Sequence, residues 1–190
     1  NVTLVGALSG GGDLTVVDGA VQSFDALTVN LLDIQDATTS VTLGGALAST
    51  TTIDINSGGS LVQNGAITSG TTVDLDAGST LGLNASISGV SGTVDIDATG
   101  VTTVAAAGDI TSGGAVVFGA NKAGTLTTSG DVTTTDDDVT FTNAVTLGGS
   151  VSVDTGGVAA GNILFSSTVA TAGNNLTLDA GPAGNVTLVG

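Results

Sequence analysis

The fold is decided by the stretch Asp138–Gly190, which reads DVTFTNAVTLGGSVSVDTGGVAAGNILFSSTVATAGNNLTLDAGPAGNVTLVG. Short triplets with apolar first and third residues recur through it, namely Val139–Phe141, Val151–Val153, Ile163–Phe165, Leu176–Leu178 and Val186–Leu188. A period of two indicates β-strands with one buried and one exposed face, and the Gly-, Asn- and Asp-rich segments between them are typical of turns. The stretch therefore predicts many short strands and no helix.

The first six residues of the chain have the same sequence as its last six. Asn1–Gly6 reads NVTLVG, and so does Asn185–Gly190. A recurrence from residue 1 to residue 185 corresponds to a period of 184 residues, and a fixed period of this kind is typical of tandem arrays. Residues 1–190 are thus predicted to be a single segment, made of one 184-residue tandem repeat and the first six residues of the next.

A shorter period divides this repeat into about eight coils of about 23 residues. The predicted coil starts are Val2, about Val29, Ile53, Val73, Val94, Val116, Val139, Ile163 and Val186. β-Sandwiches and β-barrels also contain short strands, but these folds do not require the amino-acid sequence to repeat. The prediction is an all-β parallel β-helix (β-solenoid), in which eight coils at about 4.8 Å each advance about 38 Å.

The phenylalanine residues fit such stacking. Phe118, Phe141 and Phe165 are separated by 23 and 24 residues. Because equivalent residues of successive coils lie above one another in a solenoid, these side chains are predicted to form one interior stack, continued by Leu188 and, in the next repeat, by Leu4.

The composition excludes many kinds of chemistry. The net charge is −16, Lys122 is the only basic residue, and Cys, His, Trp and Tyr are absent. There is consequently no thiol or imidazole for a metal site or a nucleophile, and no basic surface for nucleic acid. A polysaccharide lyase needs more basic residues and a sugar hydrolase usually needs aromatic platforms, so no enzyme is predicted. No apolar run reaches the ~18 residues of a membrane span, so membrane insertion is not predicted either.

A double column of acidic residues is the candidate site. Three coils carry similar text, Ile53–Asn56, Val73–Asp76 and Val94–Asp97. Stacked carboxylates repel one another, and Ca²⁺, which prefers oxygen ligands, would relieve the repulsion. The sequence thus suggests a calcium site at Asp54, Asp74, Asp76, Asp95 and Asp97, with a solvated acidic stripe as the alternative. The run Asp136–Asp138 is interpreted as an exposed corner or a further cation site. No other cofactor is predicted.

The segments VTFTNAVTL, GNILFSSTV, GNNLTLDAG and GNVTLVGALSGGGDLTV resemble the repeats of large secreted bacterial adhesins of the filamentous haemagglutinin-like, two-partner-secretion type. The resemblance covers nearly all 190 residues. It implies a right-handed parallel β-helix that serves as an extracellular shaft, and it carries over no catalytic residue.

Two functions follow as expectations. The first is a non-catalytic structural segment of an extracellular or cell-surface fibre, such as a biofilm matrix filament, whose partners are further copies of itself. The alternative is the shaft of a secreted bacterial adhesin that binds host or matrix glycans.

Overall fold

The computed structural model describes residues 1–159 and 161–190, without the side chains at positions 21, 36 and 37. Within this range the chain consists of short β-strands joined by turns. The strands are β1 (Val2–Leu4), β2 (Leu8–Ser9), β3 (Leu14–Phe24), β4 (Leu27–Val29), β5 (Leu32–Leu43), β6 (Leu47–Ser49), β7 (Thr52–Ser57), β8 (Ser60–Gln63), β9 (Ile67–Ser69), β10 (Thr72–Ala77), β11 (Leu81–Leu83), β12 (Ile87–Val90), β13 (Val94–Ala98), β14 (Val101–Val104), β15 (Ile110–Ser112), β16 (Val116–Phe118), β17 (Thr125–Thr128), β18 (Val132–Thr134), β19 (Val139–Phe141), β20 (Ala144–Leu147), β21 (Val151–Asp154), β22 (Ile163–Phe165), β23 (Val169–Ala170), β24 (Leu176–Asp179) and β25 (Val186–Leu188).

These strands stack in three parallel ladders, with one strand of each ladder in every turn of the chain. Ladder 1 contains β7, β10, β13, β16, β19, β22 and β25, ladder 2 contains β1, β8, β11, β14, β17, β20 and β23, and ladder 3 contains β2, β4, β6, β9, β12, β15, β18, β21 and β24. The long strands β3 and β5 run through both ladder 1 and ladder 2 and join them into one 16-stranded sheet, whereas ladder 3 is a separate 9-stranded sheet. The result is an all-β parallel solenoid of about 9 turns of ~21 residues, which confirms the predicted fold class.

The register agrees with the predicted coil starts from Ile53 onward. Val73, Val94, Val116, Val139, Ile163 and Val186 follow Ile53 directly along ladder 1. The two earlier starts are wrong. Val2 pairs with Gln22 in ladder 2, and Val29 pairs with Ser49 in ladder 3, while ladder 1 continues downward from Ile53 to Leu32 and Leu14.

The cause of this difference lies in β3 and β5. Both strands continue from one ladder into the next without a glycine-rich turn to mark the corner, and both pairings contain a register shift, between Gly19 and Val21 in the β3–β5 pair and between Ile34 and Ala37 in the β5–β7 pair. A coil period that is inferred from turn sequences therefore misses one corner in each of these two turns of the solenoid. It also follows that the two copies of NVTLVG lie in different ladders, the first in ladder 2 and the second in ladder 1.

The core is a continuous column of aliphatic side chains that point inward from all three ladders. Ile53, Ile55, Leu61, Ile67 and Leu75 are fully buried. Each such side chain contributes about 1.5–3 kcal/mol when it is removed from water, but a lone turn leaves its own backbone donors and acceptors unpaired. Stability of one turn therefore depends on the turns above and below it.

Buried hydroxyl groups close the corner between ladder 3 and ladder 1. Ser49 Oγ donates to the carbonyl oxygens of Asn30 at 2.6 Å and Thr52 at 3.1 Å, and Ser69 Oγ donates to those of Thr51 and Thr72 at 2.7 and 3.0 Å. Each hydroxyl thus links its own corner to the turn below. Within the described residues no helix is long and apolar enough to span a membrane.

Candidate functional site

The acidic residues that the sequence singled out lie together on the outer side of ladder 1. Asp54, Asp74 and Asp95 are direct neighbours on β7, β10 and β13, and Asp76 and Asp97 form a second column beside them, above Asn56. Strand alternation causes this arrangement, because the apolar residues between them point into the core.

A further carboxylate extends the first column. Asp33 on β5 pairs with Asp54, so that four aspartates are stacked in register. Sequence reasoning missed Asp33 because the coil register was wrong in this region. The signal was nevertheless present, since Leu32-Asp33-Ile34 has the same form as Ile53-Asp54-Ile55. We call Asp33, Asp54, Asp74, Asp76, Asp95 and Asp97 the acidic face.

One end of the acidic face is covered by a loop, residues 119–124, which follows β16. The alternative of a solvated stripe therefore does not hold for Asp97, which is only 1% exposed. Its Oδ2 accepts a hydrogen bond from the backbone N–H of Asn121 at 2.9 Å. Lys122 Nζ lies 3.2 Å from Asp76 Oδ1, so the chain's one basic side chain forms an ion pair with the acidic face.

Glycine and asparagine hold the covering loop in place. Gly119 turns the chain out of β16 with a φ of 78°, a left-handed value that favours glycine. A Cβ at this position would clash with Asn143 Nδ2, which in turn donates to the carbonyl oxygen of Lys122 at 2.9 Å. The loop is thus tied both to the acidic face below it and to the turn above it.

Several carboxylate oxygens of the acidic face are buried without compensation. Oδ1 of Asp33, Asp95 and Asp97 has no hydrogen-bond partner among the described residues. Burial disfavours the charged form of a carboxyl group, and neighbouring negative charges add to the effect. Within the acidic face this effect raises the pKa of Asp54, Asp74 and Asp95.

The pKa values follow from this environment. Burial, together with the charges of Asp76, Asp54, Asp95 and Asp97, raises the pKa of Asp74 to about 6. Burial and the charges of Asp97 and Asp76 raise the pKa of Asp95 to about 6, against the lowering effect of a hydrogen bond from the Ile96 backbone. The pKa of Asp54 is also raised, first by burial and then by Asp33 and Asp76.

Calcium at Asp54, Asp74, Asp76, Asp95 and Asp97 stays a prediction. Among the described residues there is no group of three or more acidic side chains that could hold a metal ion. A ladder places its carboxylates side by side along the axis, whereas a calcium site needs six to eight oxygen atoms that converge on one point. The geometry suits protonation better than chelation.

The other acidic cluster has a different role. Asp136 Oδ1 accepts hydrogen bonds from the backbone N–H groups of Val158 and Ala159 at 3.0 and 2.9 Å, and these bonds lower the pKa of Asp136. Asp138 Oδ1 accepts from the backbone N–H and the side-chain amide of Asn162 at 2.7 and 2.9 Å. Both aspartates thus link one turn to the next.

The phenylalanine stack lies in the core of ladder 1. The ring centroids of Phe118 and Phe141 are 5.2 Å apart, those of Phe141 and Phe165 are 4.4 Å apart, and the rings are parallel within 5°. Leu188 pairs with Phe165 and continues the stack. Within this chain Leu4 lies in ladder 2, where it pairs with Phe24. The position predicted for Leu4 of a following repeat, above Leu188, stays a prediction.

The fold defines a β-solenoid repeat protein. No protein-family model, curated protein or solved structure matches the chain.

Proposed function

We propose that this chain is a structural, non-catalytic segment of an extracellular β-solenoid fibre, in which copies continue one another along the solenoid axis. The observation that carries the proposal is the stacking of similar turns in three parallel ladders, because a further turn of the same kind can continue such a stack. Along each ladder a strand pairs with the strands of the turns above and below it, and the apolar side chains between the ladders are buried. An uncovered strand edge offers a row of unpaired backbone groups to another chain.

The interior supports a mechanical role. The stacked aliphatic and aromatic side chains form one core that runs the length of the molecule, and each turn is hydrogen-bonded to its neighbours by three ladders. Bending such a body separates strands in at least one ladder, so it resists deformation. The hydrogen bonds that the carboxylates of Asp136 and Asp138 accept from backbone N–H groups of the next turn add further links between successive turns.

The resemblance to filamentous haemagglutinin-like repeats supports the proposed extracellular location. A secreted bacterial product on the cell surface or in a biofilm matrix would place a stiff, cysteine-free, acidic rod outside the cell. The net charge of −16 would keep rods apart sideways unless cations bridge them.

Filament formation tests the proposal. The purified 190-residue chain is concentrated, imaged by electron microscopy and aligned for fibre diffraction. Filaments one solenoid wide with a meridional spacing near 4.8 Å are expected. Protein that stays monomeric at high concentration would contradict the fibre. Antibody labelling of intact producing cells tests the extracellular location, and labelling only after cell lysis would contradict it.

The alternative, an adhesin shaft that binds host or matrix glycans, stays a prediction of the sequence. An open groove on the outer side of ladder 1, lined by Asp138, Thr140, Asn162, Leu164 and Asn185 among others, is the place to test it. Binding to a glycan array that is lost in Asn162→Ala would favour this alternative over a purely structural role.

A further inference from the structure

We propose that the side chains of Lys122 and Asp76 join in an amide bond, with the buried carboxyl group of Asp97 as the proton-transfer group. Such an isopeptide bond is a covalent link between turns of the solenoid. It is independent of fibre formation, since one folded copy contains all three residues. The loop that brings Lys122, its contact with Asp76 and the burial of Asp97 carry the proposal.

The connection that contains Lys122 is longer than its counterparts. Residues 119–124 link β16 to β17, which makes six residues, whereas the connections β7–β8, β10–β11, β13–β14, β19–β20 and β22–β23 have two or three residues each. The longer loop folds over the acidic face, where the backbone N–H of Asn121 donates to Asp97 Oδ2 at 2.9 Å. The chain's one basic side chain thus lies on the longest of these connections between ladder 1 and ladder 2.

The contact between Lys122 and Asp76 reaches across a strand. Asp76 lies on β10, β13 is its neighbour, and the loop follows β16 on the other side of β13. Lys122 Nζ lies 3.2 Å from Asp76 Oδ1, and the two side chains are 19% and 27% exposed. Oδ1 itself is buried and accepts no hydrogen bond from the described residues. The nitrogen therefore touches the carboxyl group without the directed geometry of a hydrogen bond, and a small rotation brings it to a near-attack distance of about 3–3.5 Å from Cγ.

Asp97 supplies a carboxyl group that is shielded from water. It is 1% exposed, because residues 119–124 cover it. Its Oδ1 has no hydrogen-bond partner among the described residues. Asp97 is the direct neighbour of Asp76 in the ladder, at the strand spacing of about 4.8 Å. An oxygen atom with no other partner is available to give a proton to the reacting group or to take one from it.

The reaction is a condensation that needs no further reactant. The ammonium group of Lys122 first gives a proton to the carboxylate of Asp76, which turns the ion pair into an amine and a carboxylic acid. The lone pair of Nζ then forms a bond to Cγ of Asp76, and the carboxyl group of Asp97 moves a proton from the nitrogen to a hydroxyl group on Cγ. That hydroxyl group leaves as water. One N–C bond forms, one C–O bond breaks, and nothing is oxidised or reduced.

The surroundings favour the amide over the ion pair. Groups held in contact reach effective molarities of about 10⁵–10⁸ M, so that an amine and an acid which stay separate in water can condense here. The amide also removes the charge of Asp76 from the acidic face. After burial, that charge is the largest cause that raises the pKa of Asp74 to about 6. Bond formation therefore relieves part of the repulsion between the two columns.

Trypsin gives a direct test, because it cuts after free lysine or arginine and Lys122 is the only basic residue of the chain. The purified protein is digested while it is unfolded in urea at a concentration that trypsin tolerates. With a free lysine the chain is cut into residues 1–122 and 123–190, whereas the amide prevents the cut. Intact-mass spectrometry of the undigested protein is expected to show the loss of one water molecule from the mass calculated from the sequence.

Four variants accompany the parent, and circular dichroism checks that each is folded. Lys122→Arg is the matched control, because it keeps the positive charge and the trypsin site but forms no amide; full mass and complete cutting are expected. Asp76→Ala should behave in the same way. Asp97→Asn keeps an oxygen atom for the Asn121 N–H but cannot transfer the proton, so the amide is expected to be lost. Asp54→Asn, in the other column, should form the amide as the parent does.

The outcomes separate the bond from its alternatives. Loss of water and resistance to trypsin in the parent, with a cross-linked fragment around Asp76 and Lys122 after digestion by a second protease, support the proposal. A folded parent of full mass that trypsin cuts completely would overturn it and leave only an ion pair. Loss of water that persists in Lys122→Arg would place the reaction at another site and overturn it as well. An amide that still forms in Asp97→Asn would overturn the role of Asp97.

Discussion

Among single residues, Phe141 depends most on the stacking of turns. Its ring lies between those of Phe118 and Phe165, and it is 2% exposed. Parallel strands in register repeat the same backbone geometry every turn, so identical side chains adopt the same orientation and the rings lie flat on one another.

Substitution of Phe141 tests this stack. Phe141→Ala would cost about 3–5 kcal/mol, and Phe141→Asp is expected to cost more, because it also buries a charge without a basic partner. The measurement is thermal unfolding, with Phe141→Leu as the control that keeps an apolar side chain. A melting temperature of the Asp variant within a degree or two of the parent, on the order of measurement error, would mean that Phe141 does not lie in the core.

Two buried glutamines give a second prediction at this scale. Gln63 Nε2 donates to the carbonyl oxygens of Gly65 at 2.7 Å and Ala85 at 3.0 Å, whereas the side-chain amide of Gln22 has no partner among the described residues. An unpaired buried amide costs about 1–3 kcal/mol. Gln22→Met is thus expected to raise the unfolding free energy and Gln63→Met to lower it, as measured by chemical denaturation. Equal effects of the two substitutions would contradict this difference in bonding.

At the scale of elements, the acidic face on β5, β7, β10 and β13 should make stability depend on pH. The pKa values of Asp74 and Asp95 are about 6 in the folded chain and about 3.8 in the reference state, so the folded state binds protons more tightly. Stability is then greatest below the unfolded pKa and is lost as the pH rises through about 6. The melting temperature is expected to increase as the pH falls from 7 to about 4.

The variant Asp74→Asn/Asp95→Asn checks the origin of this dependence. It should melt higher than the parent at neutral pH and show a flatter profile between pH 4 and 6, about the range of the two pKa values. Asp136→Asn is the matched control, because hydrogen bonds lower the pKa of Asp136 and its contribution has the opposite sign, with stability lost on acidification. If the double substitution leaves the pH profile of the melting temperature unchanged, the pH dependence arises from groups other than Asp74 and Asp95.

Calcium is tested on the same elements. Because the carboxylates of the acidic face lie side by side rather than around one point, equal melting curves are expected in chelator and in millimolar calcium. A calcium site would instead make the melting temperature rise with calcium concentration by mass action. Such a rise, absent from Asp74→Asn/Asp95→Asn, would establish the site that the sequence suggested.

At the scale of the whole molecule, the ends should be less stable than the middle. The strands from β7 to β22 have neighbours on both sides, while β1, β2, β23, β24 and β25 have one neighbour each. Local opening at an end breaks fewer contacts, so amide hydrogen exchange is expected to be fastest in these strands. In filaments the same amides should become protected. End strands that exchange as slowly as Ile67 in a dilute monomer would contradict this gradient.

The solenoid could be predicted from sequence because its signals are local and repeated. Alternation within β19 or β22 shows which side chains point inward, and the recurrence of similar text shows that turns stack. From Ile53 to Val186 turns that contain Gly, Asn, Asp or Ser mark the corners, and the predicted register agrees with the ladders. The columns of Asp74 and Phe141 followed from the same count.

Other features were decided only by the tertiary structure. The ladder assignments of Val2 and Val29 depend on β3 and β5, which bend from one ladder into the next without a marked turn, so the sequence shows no corner there. Asp33 joins the acidic face, and Lys122 reaches Asp76, through contacts between residues far apart in the chain. Most clearly, NVTLVG occurs twice with identical letters and occupies two different ladders. Periodicity determines which side of a strand is buried, but the ladder that a strand joins depends on the strand already in place beside it.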